Sequence, residues 1–307
     1  MKRARPKNLP VSVHQRLLNL SREKGEEPNQ IFLRYAIERF LYRLSQSPFR
    51  SSFILKGALL FFAWTGSAHR ITRDLDLLGH GEASHDHIAK IFKAICRENV
   101  VADGLFYDPE SVRVQTIRDD AVYESHRIRL SCLLGTARFQ VQIDVGFGDV
   151  VIPRATTLQY PGLLDFPAPE LRAYPPETVV AEKLNALVVL GMQNSRMKDF
   201  YDLWLIARTF SFEGPVLTQA IRGTFERRRI PLPSEQPVAL DKQFAEYPGK
   251  AEQWRSFLER SDLTDAPQEL PELIETLSTF LAPPLLAATR GEEYNQVWQD
   301  GGPWKKE

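Results

Sequence analysis

The segment Thr72-Arg73-Asp74-Leu75-Asp76-Leu77 alternates acid and leucine. Strand side chains alternate between two faces, so Asp74 and Asp76 project together and Leu75 and Leu77 project from the other side. Two neighbouring carboxylates repel each other unless water or a cation separates them, and a hard oxygen pair suits Mg²⁺ or Mn²⁺. On its own this pattern also describes an exposed edge strand with solvated acids. A third acid, Asp144, lies in Val141-Gln142-Ile143-Asp144-Val145 and shares a face with Gln140 and Gln142. If its strand runs beside the first, Asp74, Asp76 and Asp144 converge as the catalytic carboxylates and metal ligands of a two-metal phosphoryl-transfer site, Asp144 completing the site of the metal that activates the acceptor. Otherwise Asp144 is a solvent-facing acid on an open sheet. Asp149, after Gly148, reads as a turn residue.

Upstream, Leu55-Lys56-Gly57-Ala58-Leu59 ends a strand in glycine and opens a helix, which leaves backbone N–H groups facing an anion. No acid occurs between Ser51 and Arg73, whereas Lys56, Arg70 and Arg73 do, a setting suited to phosphate. In the C-terminal half Glu182-Lys183 interrupts an apolar helix, either as an ordinary snorkelling lysine beside a solvated acid or as a charge partner for departing pyrophosphate. Asp199 and Asp202 stand one helical turn apart and share a face. Asp199 falls in the first turn, where the helix dipole alone would favour an anion, whereas Asp202 lies deeper. His80, Glu82, His85 and His87 lack a metal-ligand spacing such as H-E-x-x-H and read as surface residues. Arg222, Arg227, Arg228 and Arg229, with the basic N-terminal Lys2, Arg3, Arg5 and Lys7, could hold an RNA backbone; equally, the cluster could complement a helix C-terminus.

The elements that must carry these groups follow from periodicity. Helical spacing covers Val11–Arg22 and Asn29–Leu44. Strands are expected at Phe53–Leu55, Asp74–Leu78, Ser111–Ile117, Tyr123–Leu134 and Ala137–Phe147, with helices at Ala58–Trp64 and after an N-cap at Ser84. Arg154–Pro169 reads as a long connection. Helices return at Glu177–Met192, Met197–Thr209, Val216–Arg229, Asp241–Tyr247, Ala251–Leu258 and Pro267–Leu281, and a loose tail follows from about Gly291. The fold class is α+β, a mixed β-sheet core with helical additions: a helical N-terminal segment over 1–48, an α/β core over 49–170, a helical C-terminal lobe over 171–290 and a tail over 291–307. The chain has 307 residues, with 39 basic and 39 acidic side chains. A global polycation is thereby excluded, and any nucleic-acid contact is local. Two cysteines, Cys96 and Cys132, make neither a disulfide framework nor a zinc knuckle and read as core. The longest apolar run, Ala58–Trp64, falls far short of the ~20 residues that span a bilayer, and no signal-peptide stretch follows the basic N-terminus. A reduced, cytoplasmic, non-membrane protein is expected.

The glycine motif, the D-x-D strand and the later Asp together resemble the nucleotidyltransferase superfamily of DNA polymerase beta-like folds. More closely, the chain resembles the AbiEii-type toxins of type IV toxin–antitoxin and abortive-infection systems, which act in phage defence. The matching stretches are Phe53-Ile54-Leu55-Lys56-Gly57-Ala58-Leu59-Leu60, Arg70-Ile71-Thr72-Arg73-Asp74-Leu75-Asp76-Leu77, Ile143–Asp149, Val180-Ala181-Glu182-Lys183-Leu184 and Arg196–Leu203. The resemblance implies a nucleotidyltransferase-like core and transfer of a nucleoside monophosphate from an NTP, with Mg²⁺ or Mn²⁺, to an RNA acceptor such as a tRNA 3′ end. It also implies a cognate antitoxin protein. It makes Lys56, Gly57, Ala58, Thr72, Arg73 and Lys183 nucleotide-binding, Lys183 on the triphosphate, and Asp199 and Asp202 a second essential acidic motif beside Lys183. The family has Gly-Gly or Gly-Ser where this chain has Gly57-Ala58, so a hydroxyl contact to phosphate is lost and altered nucleotide binding is expected. The same carboxylates could serve a metal-dependent nuclease on RNA, and the Ala58 departure fits a partner-binding protein on a degraded catalytic scaffold.

Overall fold

The computed structural model describes residues 8–66, 72–119 and 123–306. The basic Lys2, Arg3, Arg5 and Lys7, and Arg70 and Ile71 before the acidic strand, lie outside the described residues. The chain divides into two compact units. One comprises residues 1–148 and 156–173, and the other residues 149–155 and 174–307.

The first unit opens with helices α1 (Leu9–Lys24) and α2 (Pro28–Gln46). The Asn8 side chain caps α1 by accepting from the Val11 N–H, and Gly25, at φ +67°, ends it. Next come β1 (Phe53–Lys56), α3 (Leu59–Thr65), β2 (Asp74–Gly79) and α4 (His85–Cys96), the last capped by Ser84. Strands β3 (Leu105–Asp119), β4 (Tyr123–Leu134) and β5 (Ala137–Phe147) form a meander. Strand β3 begins earlier than its apolar alternation indicates. Its register against β4 shifts between Asp108 and Arg113, around Pro109, where an irregularity obscures the period of two. Two further short strands follow: β6 (Thr156–Gln159) lies within the expected connection Arg154–Pro169, and β7 (Glu170–Ala173) begins just after it. Four residues each, with β6 carrying mainly threonine and glutamine, give too little alternation to register as strands.

The seven strands form one mixed sheet in the order β3-β4-β5-β2-β1-β7-β6. Its apolar face is made by Leu75, Leu77, Ile128, Leu130, Val141, Ile143 and Val145, all essentially buried. From α2 and α4, Phe40 and Phe92 stack with centroids 5.9 Å apart, and Phe53 of β1 meets Phe92 edge-on. Helix α2 is tied down by a buried charge cluster. Arg39 and Arg43 both reach Asp103, Arg43 at 2.6 and 3.1 Å, while Glu38 accepts from the Leu163 N–H at 2.8 Å. Burial pushes the Glu38 carboxyl up to about 6, and the Leu163 N–H and Arg39 hold it from going further. Burial likewise pushes the Cys96 and Cys132 thiols up to about 12, which agrees with inert core thiols.

The second unit is mainly helical: α5 (Pro176–Leu190), α6 (Met197–Thr209), α7 (Gly214–Arg227), α8 (Lys242–Glu246), α9 (Lys250–Ser261) and α10 (Leu270–Arg290). Helix α10 continues through Pro283 and Pro284, nine residues past the expected end. Proline removes an intrahelical hydrogen bond, but buried Leu285, Ala287 and Ala288 extend the apolar stripe and hold the last turns. The tail is not loose. Phe212–Glu213 (β8), Val297–Trp298 (β9) and Trp304–Lys305 (β10) form a small antiparallel sheet. Trp298 is 2 % exposed, packs on Phe280 with centroids 4.8 Å apart, and donates its indole N–H to the Ala207 carbonyl at 2.7 Å. Trp304 donates to the Phe280 carbonyl at 2.9 Å. The surrounding Gly, Gln and Asp hide this docking from any periodicity argument. No described helix is long and apolar enough to cross a membrane.

If the tail is part of the second unit's core, Trp298→Ala lowers unfolding free energy by about 3–5 kcal/mol, read by chemical denaturation of the full chain. A loose tail would leave the change within about 0.5 kcal/mol.

Candidate active site

Strands β2 and β5 run parallel, with Asp74 opposite Gln142, Asp76 opposite Asp144 and Leu77 opposite Val145. All three predicted carboxylates therefore stand on one sheet face, as the register argument required, with Asp76 and Asp144 immediate neighbours. On the other side β1 runs antiparallel to β2 and sets Lys56 opposite Asp76. Beyond β5, β4 sets Arg127 opposite Asp144 and Arg129 opposite Gln142. One cross-strand row thus reads Lys56, Asp76, Asp144, Arg127, with the two acids flanked by two bases.

Arg127 grips Asp144 with a guanidinium fork, Nε to Oδ1 at 2.9 Å and Nη2 to Oδ2 at 2.7 Å. The pair is part-buried, its side chains 29 % and 18 % exposed. Such bidentate charge-assisted pairs are among the stronger hydrogen bonds. Arg129 donates to Gln142 at 3.2 Å in the next row. The sequence reading missed Arg127, although a signal was present. The two-residue turn Gly135-Thr136 joins Leu134 to Ala137, and counting back along both strands from that turn brings Arg127 opposite Asp144.

The β1–α3 turn meets the acids directly. Gly57 has φ +75°, and a Cβ there would fall on the Asp76 side chain, 2.6 Å from its Cγ and 2.7 Å from its Cβ. Only glycine permits both the left-handed backbone and that approach. Ala58 precedes α3 in helical conformation and contributes no side-chain cap. Thr72 donates its hydroxyl to the Asp74 carbonyl at 3.5 Å, and Arg73 is exposed.

The family of the resemblance uses a divalent cation, and the donor set of this face bears on its fit. Asp74 and Asp76 supply hard oxygen donors from one face and suit a cation that keeps several waters. Both oxygens of Asp144 are engaged by Arg127. Among the described residues no group of three or more His, Cys, Asp and Glu is arranged to hold a metal ion, and His80, Glu82, His85 and His87 form no such group. His85 pairs with Thr116 at 2.8 Å.

The second unit carries its own charged cluster. Lys183 of α5 bonds Asp199 at 2.7 Å and Asp202 at 2.8 Å, both on α6, and Arg196 pairs with Asp199 at 2.8 Å. The two acids do share a face, and Asp199 meets Lys183 rather than acting as an N-cap. Burial works to raise the Asp199 carboxyl, but Lys183 and then Arg196 outweigh it and hold it below its ordinary value. Beside Lys183, Glu182 accepts from the Tyr174 hydroxyl at 3.1 Å and faces Arg228 at 3.6 Å. Arg228 also reaches Asp149 and Asn185, and Arg222 donates to the Ala288 carbonyl at 3.5 Å. Arg222 and Arg228 are thus engaged within the unit, and Asp149 is an ion-pair partner.

A family model described as "Nucleotidyl transferase AbiEii toxin, Type IV TA system" matches residues 39–281, well over half the chain. No curated protein matches. Two solved structures align at 12% identity. One is JHP933 from Helicobacter pylori, with a TM-score of 0.47 over 92% of this chain and 94% of that one. The other, also from H. pylori and provisionally assigned as a nucleotidyltransferase, has a TM-score of 0.46 over 92% and 96%. Likeness at that level says nothing of activity.

Two outcomes follow from the geometry. Gly57→Ala, strained in backbone and in contact with Asp76, is expected to cost about 1–3 kcal/mol of stability, measured by denaturation; a change under about 0.5 kcal/mol would contradict the close approach. The lowered Asp199 carboxyl stabilises the fold above its unfolded value of 3.8, and that stabilisation is lost as pH falls through the still lower folded value. The stability gap between the wild type and Asp199→Asn is therefore expected to be full at neutral pH and to close below pH 3.8 in a denaturation series.

Proposed function

Because the chain belongs to the AbiEii nucleotidyl transferase toxin family of type IV toxin–antitoxin systems, we propose that it transfers a nucleoside monophosphate from an NTP to a hydroxyl of an RNA, the 3′ end of a tRNA being the acceptor the resemblance implies. The observation that carries the reading is the shared face of Asp74, Asp76 and Asp144, in register beside Lys56 and against the Gly57 turn.

In this reading the acceptor hydroxyl oxygen forms a bond to the α-phosphorus, the bond to the β-phosphate bridging oxygen breaks, and pyrophosphate leaves. Catalysis of this kind is mainly positioning and charge neutralisation. Asp74 and Asp76 would hold Mg²⁺ or Mn²⁺, which when bound there would offset charge on the transferring phosphoryl group. Gly57 lets backbone and phosphate approach each other beside Asp76, and Lys56 supplies a cation on the same row, with Thr72 and Arg73 flanking the acidic strand. Ala58 offers backbone only, so phosphate binding rests on N–H groups and these cations. Lys183, held by Asp199 and Asp202, serves the triphosphate, as the resemblance gives it. Those two acids direct the ammonium, which is their role here. The toxin acts in the cytoplasm in phage defence and is silenced by a separate antitoxin protein.

The test is incubation of the purified chain with total RNA and each α-labelled NTP in turn. Label is expected in RNA with the wild type and is expected to fall at least about 10²–10³-fold in Asp76→Asn, with the fold of the variant checked by thermal melting. Expression of the wild type should arrest growth where Asp76→Asn does not. Shortened, unlabelled RNA would point instead to a nuclease. No thermal shift with any NTP and Mg²⁺ would point to a partner-binding protein.

A further inference from the structure

The row Lys56, Asp76, Asp144, Arg127 poses a question about charge. In a two-metal site the third carboxylate gives at least one oxygen to the ion that activates the acceptor. Here both Asp144 oxygens accept from one guanidinium, at 2.9 and 2.7 Å. Arginine stays charged at any physiological pH, and its planar fork matches a carboxylate in a way a lysine cannot. The register makes the pairing a property of the sheet, because the tight β4–β5 turn places residue 127 beside residue 144. The pair is also partly withdrawn from water, where separating it would cost more than at a fully exposed position.

We propose that Arg127 stands where a second metal would. The site takes one divalent cation, on Asp74 and Asp76, and Asp144 is not a metal ligand but the anchor that aims a permanent positive charge along the same face. This rests on the nucleotidyl-transfer reading and deepens it. Arg127 is then a positioning and charge-complementing residue, whose +1 takes the place of the +2 of a second ion and cannot dissociate. The acceptor side of the reaction accordingly lacks a metal-held nucleophile, and the acceptor hydroxyl is positioned by protein groups.

The experiment counts bound Mn²⁺ by electron paramagnetic resonance in the full chain, saturated with α,β-methylene analogues of the four nucleoside triphosphates. The wild type is expected to bind one Mn²⁺ per ternary complex with an uncoupled spectrum. Arg127→Gln, which frees Asp144, is expected to bind two, with the spin coupling of ions a few ångströms apart. Asp144→Asn keeps Arg127 and is expected to stay at one; it provides the check if Arg127→Gln fails to fold. Two Mn²⁺ in the wild type, falling to one in Asp144→Asn, would overturn the inference and leave the transfer reading intact. One Mn²⁺ in a folded Arg127→Gln would also overturn it. No Mn²⁺ in any form would remove the transfer reading itself.

Discussion

The parallel pairing of β2 with β5 is the constraint on which the rest depends, because its register sets Asp76 beside Asp144. Neighbouring strands lie about 4.8 Å apart. Two unit charges at roughly 5 Å repel by about 3 kcal/mol at an effective dielectric of about 20, a large share of the 5–15 kcal/mol that typically holds a domain together. The sheet accommodates this by bracketing the acids with Lys56 on one side and Arg127 on the other. The opposite face of the same strands contributes Leu75, Leu77, Ile143 and Val145 to the core, so the register cannot slip by one residue without exposing that core and burying the acids. Core packing and the charged row are therefore enforced by the same pairing.

The second unit solves a similar problem with the signs reversed. Lys183 lies between two carboxylates that are themselves almost wholly buried. Removing one partner from such a group costs far more than the pair contributes, since an uncompensated charge remains. Arg196 supplies the second cation for Asp199. The stretch Arg196–Asp202 thus has a physical reason for its acids beyond any chemistry: Asp199 is the counter-ion of Arg196 and Lys183, and Asp202 of Lys183.

Much of this was legible from the amino-acid sequence because it follows short periods. Alternation placed Asp74 and Asp76 on one face, and a spacing of one helical turn placed Asp199 and Asp202 together. The apolar stripes located α2, α4, α5 and α6 to within a few residues. Three features were hidden for distinct reasons. Arg127 sat in a strand already recognised, but its role appears only when the turn at Gly135-Thr136 is used to count registers. Strands β6 and β7 are too short for alternation to show. The docking of Trp298 depends on Phe280, Phe212 and the Ala207 carbonyl, all distant in sequence, so its signal was only the presence of large aromatics in a polar tail.

The most direct test of the central claim is anomalous diffraction from crystals of the full chain grown with Mn²⁺ and an α,β-methylene nucleoside triphosphate. The account requires a manganese peak within about 2.2 Å of carboxylate oxygens of both Asp74 and Asp76, with the Arg127 guanidinium still forked on Asp144. A metal bound elsewhere, or none on that face while nucleotide is present, would contradict it.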